Sequence, residues 1–207
     1  AFVRAAAARN LTVLPILFPG ADAAASTTAC AKLFIDEGIR VFEIGQEWDN
    51  EALLPGRGGD KIADYNQTVY QHLLITLSGM SKGVRAAAAA AGTKVQVGVN
   101  NGGWLHYAWF EMLLRDQLDF DFVGYHWYSE MGDLNSAGGQ NVWQKLVSFG
   151  KPIWMTELDR RGGSSTHAPC RPAHAPTCGM DQATFLDHEI GLLANLSAAT
   201  DGSPVKA

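Results

Sequence analysis

Charge is scarce in this sequence. Charged residues are 18% of its 207 positions, and the formal net charge is −5. No run of Lys and Arg builds a phosphate-binding face, which argues against nucleic acid as a partner. No apolar run approaches the roughly 20 residues of a membrane-spanning helix, so no membrane segment is expected. No glycine-rich loop follows a strand, which argues against a dinucleotide site. Nothing at the start, "AFVRAAAARNL", resembles an export signal. Cysteine is limited to three residues. Cys30 falls in a helical stretch, while Cys170 and Cys178 share the loop "HAPCRPAHAPTC". A disulfide between these two is the leading reading, and it implies an oxidising, secreted or periplasmic location. Two other readings stay open. One is a metal site, because His167, Cys170, His174 and Cys178 are all zinc-type ligands, though not at a zinc-finger spacing. The other is free thiols.

What is present is apolar and periodic. Hydrophobic residues make up 47% of the chain, enough for one sizeable core, so residues 1–207 are read as a single domain. Short apolar runs at 11–18, 39–47, 94–100, 120–128 and 152–157 read as strands. Helical spacing at 29–38, 64–92, 106–118, 141–150 and 181–199 fills the intervals, with Asp181 as an N-cap and a break in the long stretch at Gly79 or Gly83. The end, "SPVKA", reads as the start of a sixth strand. Strand–helix alternation of this kind predicts a parallel sheet covered by helices. The expected fold class is α/β, of (β/α)8 TIM-barrel type, with only part of the barrel visible.

The polar residues gather where strands end. Gln46, Glu47 and Trp48 close one strand and Asn100 and Asn101 another. His126, Trp127 and Tyr128 close a third, and Thr156 and Glu157 a fourth. In a (β/α)8 barrel that rim carries the chemistry. Glu47 and Glu157 lie three strands apart, about 135° round an eight-stranded barrel, so their side chains are expected to face each other. Alternation puts Glu43, Gly45 and Glu47 on one face, and Phe42 and Ile44 on the face that meets helices. Two carboxyls across a cleft are what glycosidic cleavage requires. One protonates the leaving oxygen while the other attacks the anomeric carbon or activates water. Carboxylates that close also repel as anions, so one of such a pair holds its proton near neutrality.

The strand ends then show a family resemblance. "FEIGQEWD" resembles the fourth-strand acid/base motif of clan A glycoside hydrolases, and "KPIWMTELD" the seventh-strand nucleophile motif. "FDFVGYHWYSE" is similar to the sixth strand, "NLTVLPILF" to the third and "TKVQVGVNNGG" to the fifth. The motifs are nearest to families 39, 5 and 128. The resemblance implies a retaining β-glycosidase acting on an oligo- or polysaccharide, without a cofactor. Glu47 would be the acid/base and Glu157 the nucleophile, with His126 and Tyr128 beside it. Where the clan has Asn to hold the sugar 2-hydroxyl, this chain has Gln46, one methylene longer. Strands one and two and most of strand eight have no counterpart, so an inactive carbohydrate-binding barrel is the alternative.

Other residues carry weaker expectations. Trp48 and Trp127 are candidates to line the cleft and stack on sugar, and Asn100 to reach substrate. Trp109, Trp143 and Trp154 are expected to pack. Glu43 falls inside the barrel, where a carboxylate needs a partner. His106 and His188 are read as ordinary helix residues.

Overall fold

The computed structural model describes residues 2–160, 181–199 and 205–206. The expectations for Cys170, Cys178, His167 and His174 lie outside the described residues. Among the described residues six strands form one sheet in sequence order: β1 (Ile16–Leu17), β2 (Val41–Ile44), β3 (Gln96–Asn101), β4 (Phe122–Tyr128), β5 (Ile153–Asp159) and β6 (Val205–Lys206). Every pairing is parallel. All five expected strands and the sixth at the end are present, joined by helical crossovers, which is the α/β architecture of a partial (β/α) barrel.

The helices are α1 (Phe2–Ala7), α2 (Ala23–Asp36), α3 (Trp48–Ala52), α4 (Gln67–Ala90), α5 (Ala108–Arg115), α6 (Val142–Val147) and α7 (Gln182–Ala199). The starts of α2, α4, α6 and α7 are fixed by side-chain caps. Asp22 accepts from Ala25 N–H, Asn66 from Thr68 and Val69, Asn141 from Gln144, and Asp181 from Thr184. The long helix α4 does not break at Gly79 or Gly83. These glycines are instead where α2 comes close. A Cβ at Gly83 would sit 2.5 Å from the Ala24 carbonyl oxygen. The Gly83 carbonyl accepts the Thr28 hydroxyl at 3.1 Å. The helical cost of glycine is offset by that close approach.

Outside the sheet, Phe42, Ile44, Val97, Val99, Val123, Tyr125 and Ile153 are buried against the helices. Inside, the filling is layered. Phe122 and Trp154 stack with centroids 4.7 Å apart, and the Phe122 ring lies where a Cβ on Gly98 would be. Above this aromatic floor sit Glu43, Gly124, Asn100 and Thr156, and the strand ends rise over them.

One irregularity decides what the rim can do. Up to Tyr125↔Met155, β4 and β5 pair residue for residue, but the next pair is His126↔Glu157. Thr156 is the extra residue of a β-bulge. Simple alternation would put Glu157 on the side of Ile153 and Met155, facing the helices. The bulge re-aims it so that Glu157 shares the inner face with His126.

Candidate active site

Glu47 follows β2 after Gly45 and Gln46 and stands at the N-terminus of α3 with φ 49° and ψ 39°, a left-handed conformation uncommon for a residue with a side chain. Asn100, on the neighbouring strand β3, holds it there. The Asn100 Oδ1 accepts the Glu47 backbone N–H at 2.8 Å, and its Nδ2 donates to Gln46 Oε1 at 3.3 Å. Gln46 Nε2 then donates to Glu157 Oε1 at 2.9 Å. The direction of this relay is fixed at both ends, because a backbone N–H only donates and a carboxylate accepts. Gln46 therefore reaches across the barrel mouth to the second carboxyl.

The ring closes through β4. His126, fully buried, points Nδ1 at Glu47 Oε1 (2.7 Å) and lies 3.7 Å from Glu157 Oε2. Facing two carboxyl groups, Nδ1 serves as the donor. Tyr128 donates its hydroxyl to Glu157 Oε2, and Asn50 Nδ2 donates to Glu47 Oε2 at 3.3 Å. One oxygen each of Glu47 and Glu157 lies within 4.8 Å of the other and of His126 Nδ1. The two carboxyls keep 24% and 36% side-chain exposure, so both open onto one cleft. The trio is compact enough to hold a metal ion, but all four carboxyl oxygens of the pair already accept hydrogen bonds from protein donors.

Beneath the pair lies a buried polar layer. Glu43 is fully buried, and neither of its oxygens makes a hydrogen bond. The His126 Nε2 and Thr156 Oγ1 atoms are buried and unpartnered as well. Burial pushes the Glu43 carboxyl above its ordinary range, with the Glu157 charge adding to this. Thr156, Asn100 and His126 pull the other way. The sequence placed Glu43 inside the barrel but not beside His126. His106, expected on a helix, lies in the turn before α5, and with Asp49 it braces the rim from behind. Asp49 is fully buried, accepts His106 Nδ1 at 2.5 Å, and takes the Gly102 N–H at 3.0 Å. A carboxylate two residues after Glu47 and a histidine after the next strand were the available signal.

The sequence-derived site is thus brought together in most of its members: Glu47, Glu157, Gln46, Asn100, His126 and Tyr128. Asn100 is 2% exposed and acts on its neighbours instead of facing the cleft. Two tryptophans need separate treatment. Trp48 is half-buried, its ring against Gly45 at the start of α3. Trp127 does not line the cleft. Between two inward residues it must point outward, where it is fully buried, stacks on Tyr125, and donates Nε1–H to the Gly132 carbonyl at 2.7 Å. Trp109 and Trp143 pack in the core as expected.

Among solved structures, the chain is similar to a GH53 catalytic domain from Ignisphaera aggregans, with 12% sequence identity and a TM-score of 0.58. That alignment covers 99% of this chain and 64% of the other, so the chain spans less than two thirds of that structure's length. No protein-family model and no curated protein matches. At this identity the likeness carries the fold: an α/β chain that superposes along nearly its whole length on part of a glycoside hydrolase catalytic domain.

Proposed function

We propose that this chain carries the catalytic centre of a retaining glycoside hydrolase acting on β-linked oligo- or polysaccharides. The supporting observation is the approach of the Glu47 and Glu157 carboxyl oxygens to within 4.8 Å. Retaining enzymes hold their two carboxyls about 5–5.5 Å apart, whereas inverting enzymes leave about 6.5–9.5 Å for a water. Glu157, gripped by Gln46 and Tyr128, is placed to attack the anomeric carbon and carry the glycosyl group. Glu47 donates a proton to the leaving oxygen and then takes one from the incoming water. His126 keeps the two carboxyls in register throughout.

The test is azide rescue on an aryl β-glycoside that the native chain cleaves. Glu47→Ala and Glu157→Ala each lose nearly all hydrolysis. With azide, Glu47→Ala yields the β-glycosyl azide and Glu157→Ala the α-glycosyl azide. Full activity in either variant, or inversion at the anomeric carbon in the native reaction, refutes the assignment. A second reading rests on the 64% coverage of the GH53 structure: a barrel that binds carbohydrate without cleaving it. Saturable oligosaccharide binding with no turnover on prolonged incubation would select that reading.

A further inference from the structure

Helix α7 turns an apolar stripe inward. Phe185 and Leu193 are 0% and 3% exposed, and the residue midway between them on the same face is Glu189, 1% exposed. A carboxyl at the centre of such a stripe has no packing purpose, and an unpaired buried carboxylate is costly. Its Oε1 has no hydrogen-bond partner. Next to it His188 places Nε2 3.0 Å from Asp133 Oδ1, in the loop that follows β4. One donor atom each from Asp133, His188 and Glu189 lies within 4.8 Å of the other two. Asp133 and His188 retain 25% and 35% side-chain exposure, so the cluster is closed on the protein side and reachable from solvent.

We propose that Asp133, His188 and Glu189 bind a divalent first-row transition cation of the manganese or zinc class. Two carboxylates and one imidazole are the donor set such ions take, and the solvent side admits the waters that complete the shell. The cation supplies the partner that Glu189 lacks. Burial and the nearby Asp133 charge raise this carboxyl to about 7, with His188 acting against them, and a dication reverses that balance. The bound ion also ties α7 to the loop that Trp127 anchors through the Gly132 carbonyl. The site is separate from the Glu47–Glu157 pair and does not depend on the glycosidase reading.

Mn2+ is the suitable probe, because it favours oxygen and imidazole over thiol donors. Isothermal titration and Mn2+ electron paramagnetic resonance on the purified chain should show saturable binding. Glu189→Gln and Asp133→Asn should each weaken it at least about tenfold, the loss that even an outer-shell partner commands. Glu47→Gln should leave it unchanged. Thermal melts provide the control for folding. Without metal, Glu189→Gln melts at or above the native temperature, since a buried charge is removed, yet it loses the upward shift that Mn2+ gives the native chain. Binding unaffected by Glu189→Gln, binding lost with Glu47→Gln, or no saturable binding up to millimolar Mn2+ overturns the proposal.

Discussion

Asn100 ties the stability of the fold to the position of the Glu47 carboxyl. Its side chain accepts the N–H of Glu47 at 2.8 Å, and Glu47 is held at φ 49°. Asn100→Ala removes this bond and the weaker one to Gln46. A buried donor left without a partner costs about 1–3 kcal/mol. A left-handed residue with a side chain stores on the order of 1–3 kcal/mol that the removed amide helped to hold. Relaxation of Glu47 releases part of that strain and offsets the cost, so a loss of about 1–2 kcal/mol is expected in urea denaturation. Relaxation also moves the carboxyl. A displacement near 1 Å costs about 100-fold in rate, so kcat/KM on an aryl β-glycoside should fall by about that factor. Gln46→Ala separates the effects, since it cuts the relay without touching the Glu47 N–H. It should cost under about 1 kcal/mol, the worth of an ordinary hydrogen bond, with a comparable loss of rate. The reasoning fails if Asn100→Ala stays within about 0.5 kcal/mol of native, the range of a neutral surface change, or if stability falls while kcat/KM holds.

Further consequences follow from the layer beneath. A Cβ at Gly124 would lie 2.1 Å from Glu43 Oε1 and 3.0 Å from Asn100 Cβ. Gly124→Ala should therefore cost about 1–3 kcal/mol as overpacking, and Glu43→Ala in the same chain should recover part of it. Additivity of the two in a urea double-mutant cycle would remove the clash as the cause. The Glu43 carboxyl, which faces His126 and Glu157, is raised above 4.5 by burial. Its contribution is thus present in full below its unfolded value and lost as pH rises through the folded one. Urea midpoints should decline with pH above 4.5, and Glu43→Gln should flatten that slope; an unchanged slope assigns the decline elsewhere. Trp127→Phe should cost about 1 kcal/mol through the lost bond to Gly132 and leave oligosaccharide affinity unaltered. Weakened binding in that variant would mean the ring reaches substrate after all.

Much of this was legible in the letters, and the exceptions have definite causes. Strand order and the inward face of Glu43 followed from alternation, and the gathering of Glu47 and Glu157 at one rim from their places at strand ends; the bulge that turns Glu157 inward left no mark in the letters. Trp127 was misread although its neighbours held the answer: if His126 and Tyr128 turn inward, the residue between them turns out. Gly79 and Gly83 read as breaks in the sequence because close helix approach leaves the same letter as a weak helix. The left-handed turn at Glu47 was invisible, since "GQEWD" carries no glycine at that position and the conformation is imposed by Asn100, 53 positions away. Helix α3, at five residues, is too short for a period to show. Asp49 and His106 look like surface letters until the two loops are brought together.

The bulge at Thr156 gives β5 two reading frames. In the first, Ile153 and Met155 are read by the helices and specify how the strand packs. In the second, which begins at Glu157, the same strand is read by the cleft. Substitutions within either frame edit one message and leave the other intact. Ironing out the bulge with Thr156 kept in place would merge the frames, turning the Glu157 carboxyl toward the helices and Leu158 toward the cleft, with every letter unchanged. What this strand encodes therefore depends on its register as much as on its composition. A one-residue gap near a strand end can separate a catalyst from a bystander more sharply than many exchanged side chains.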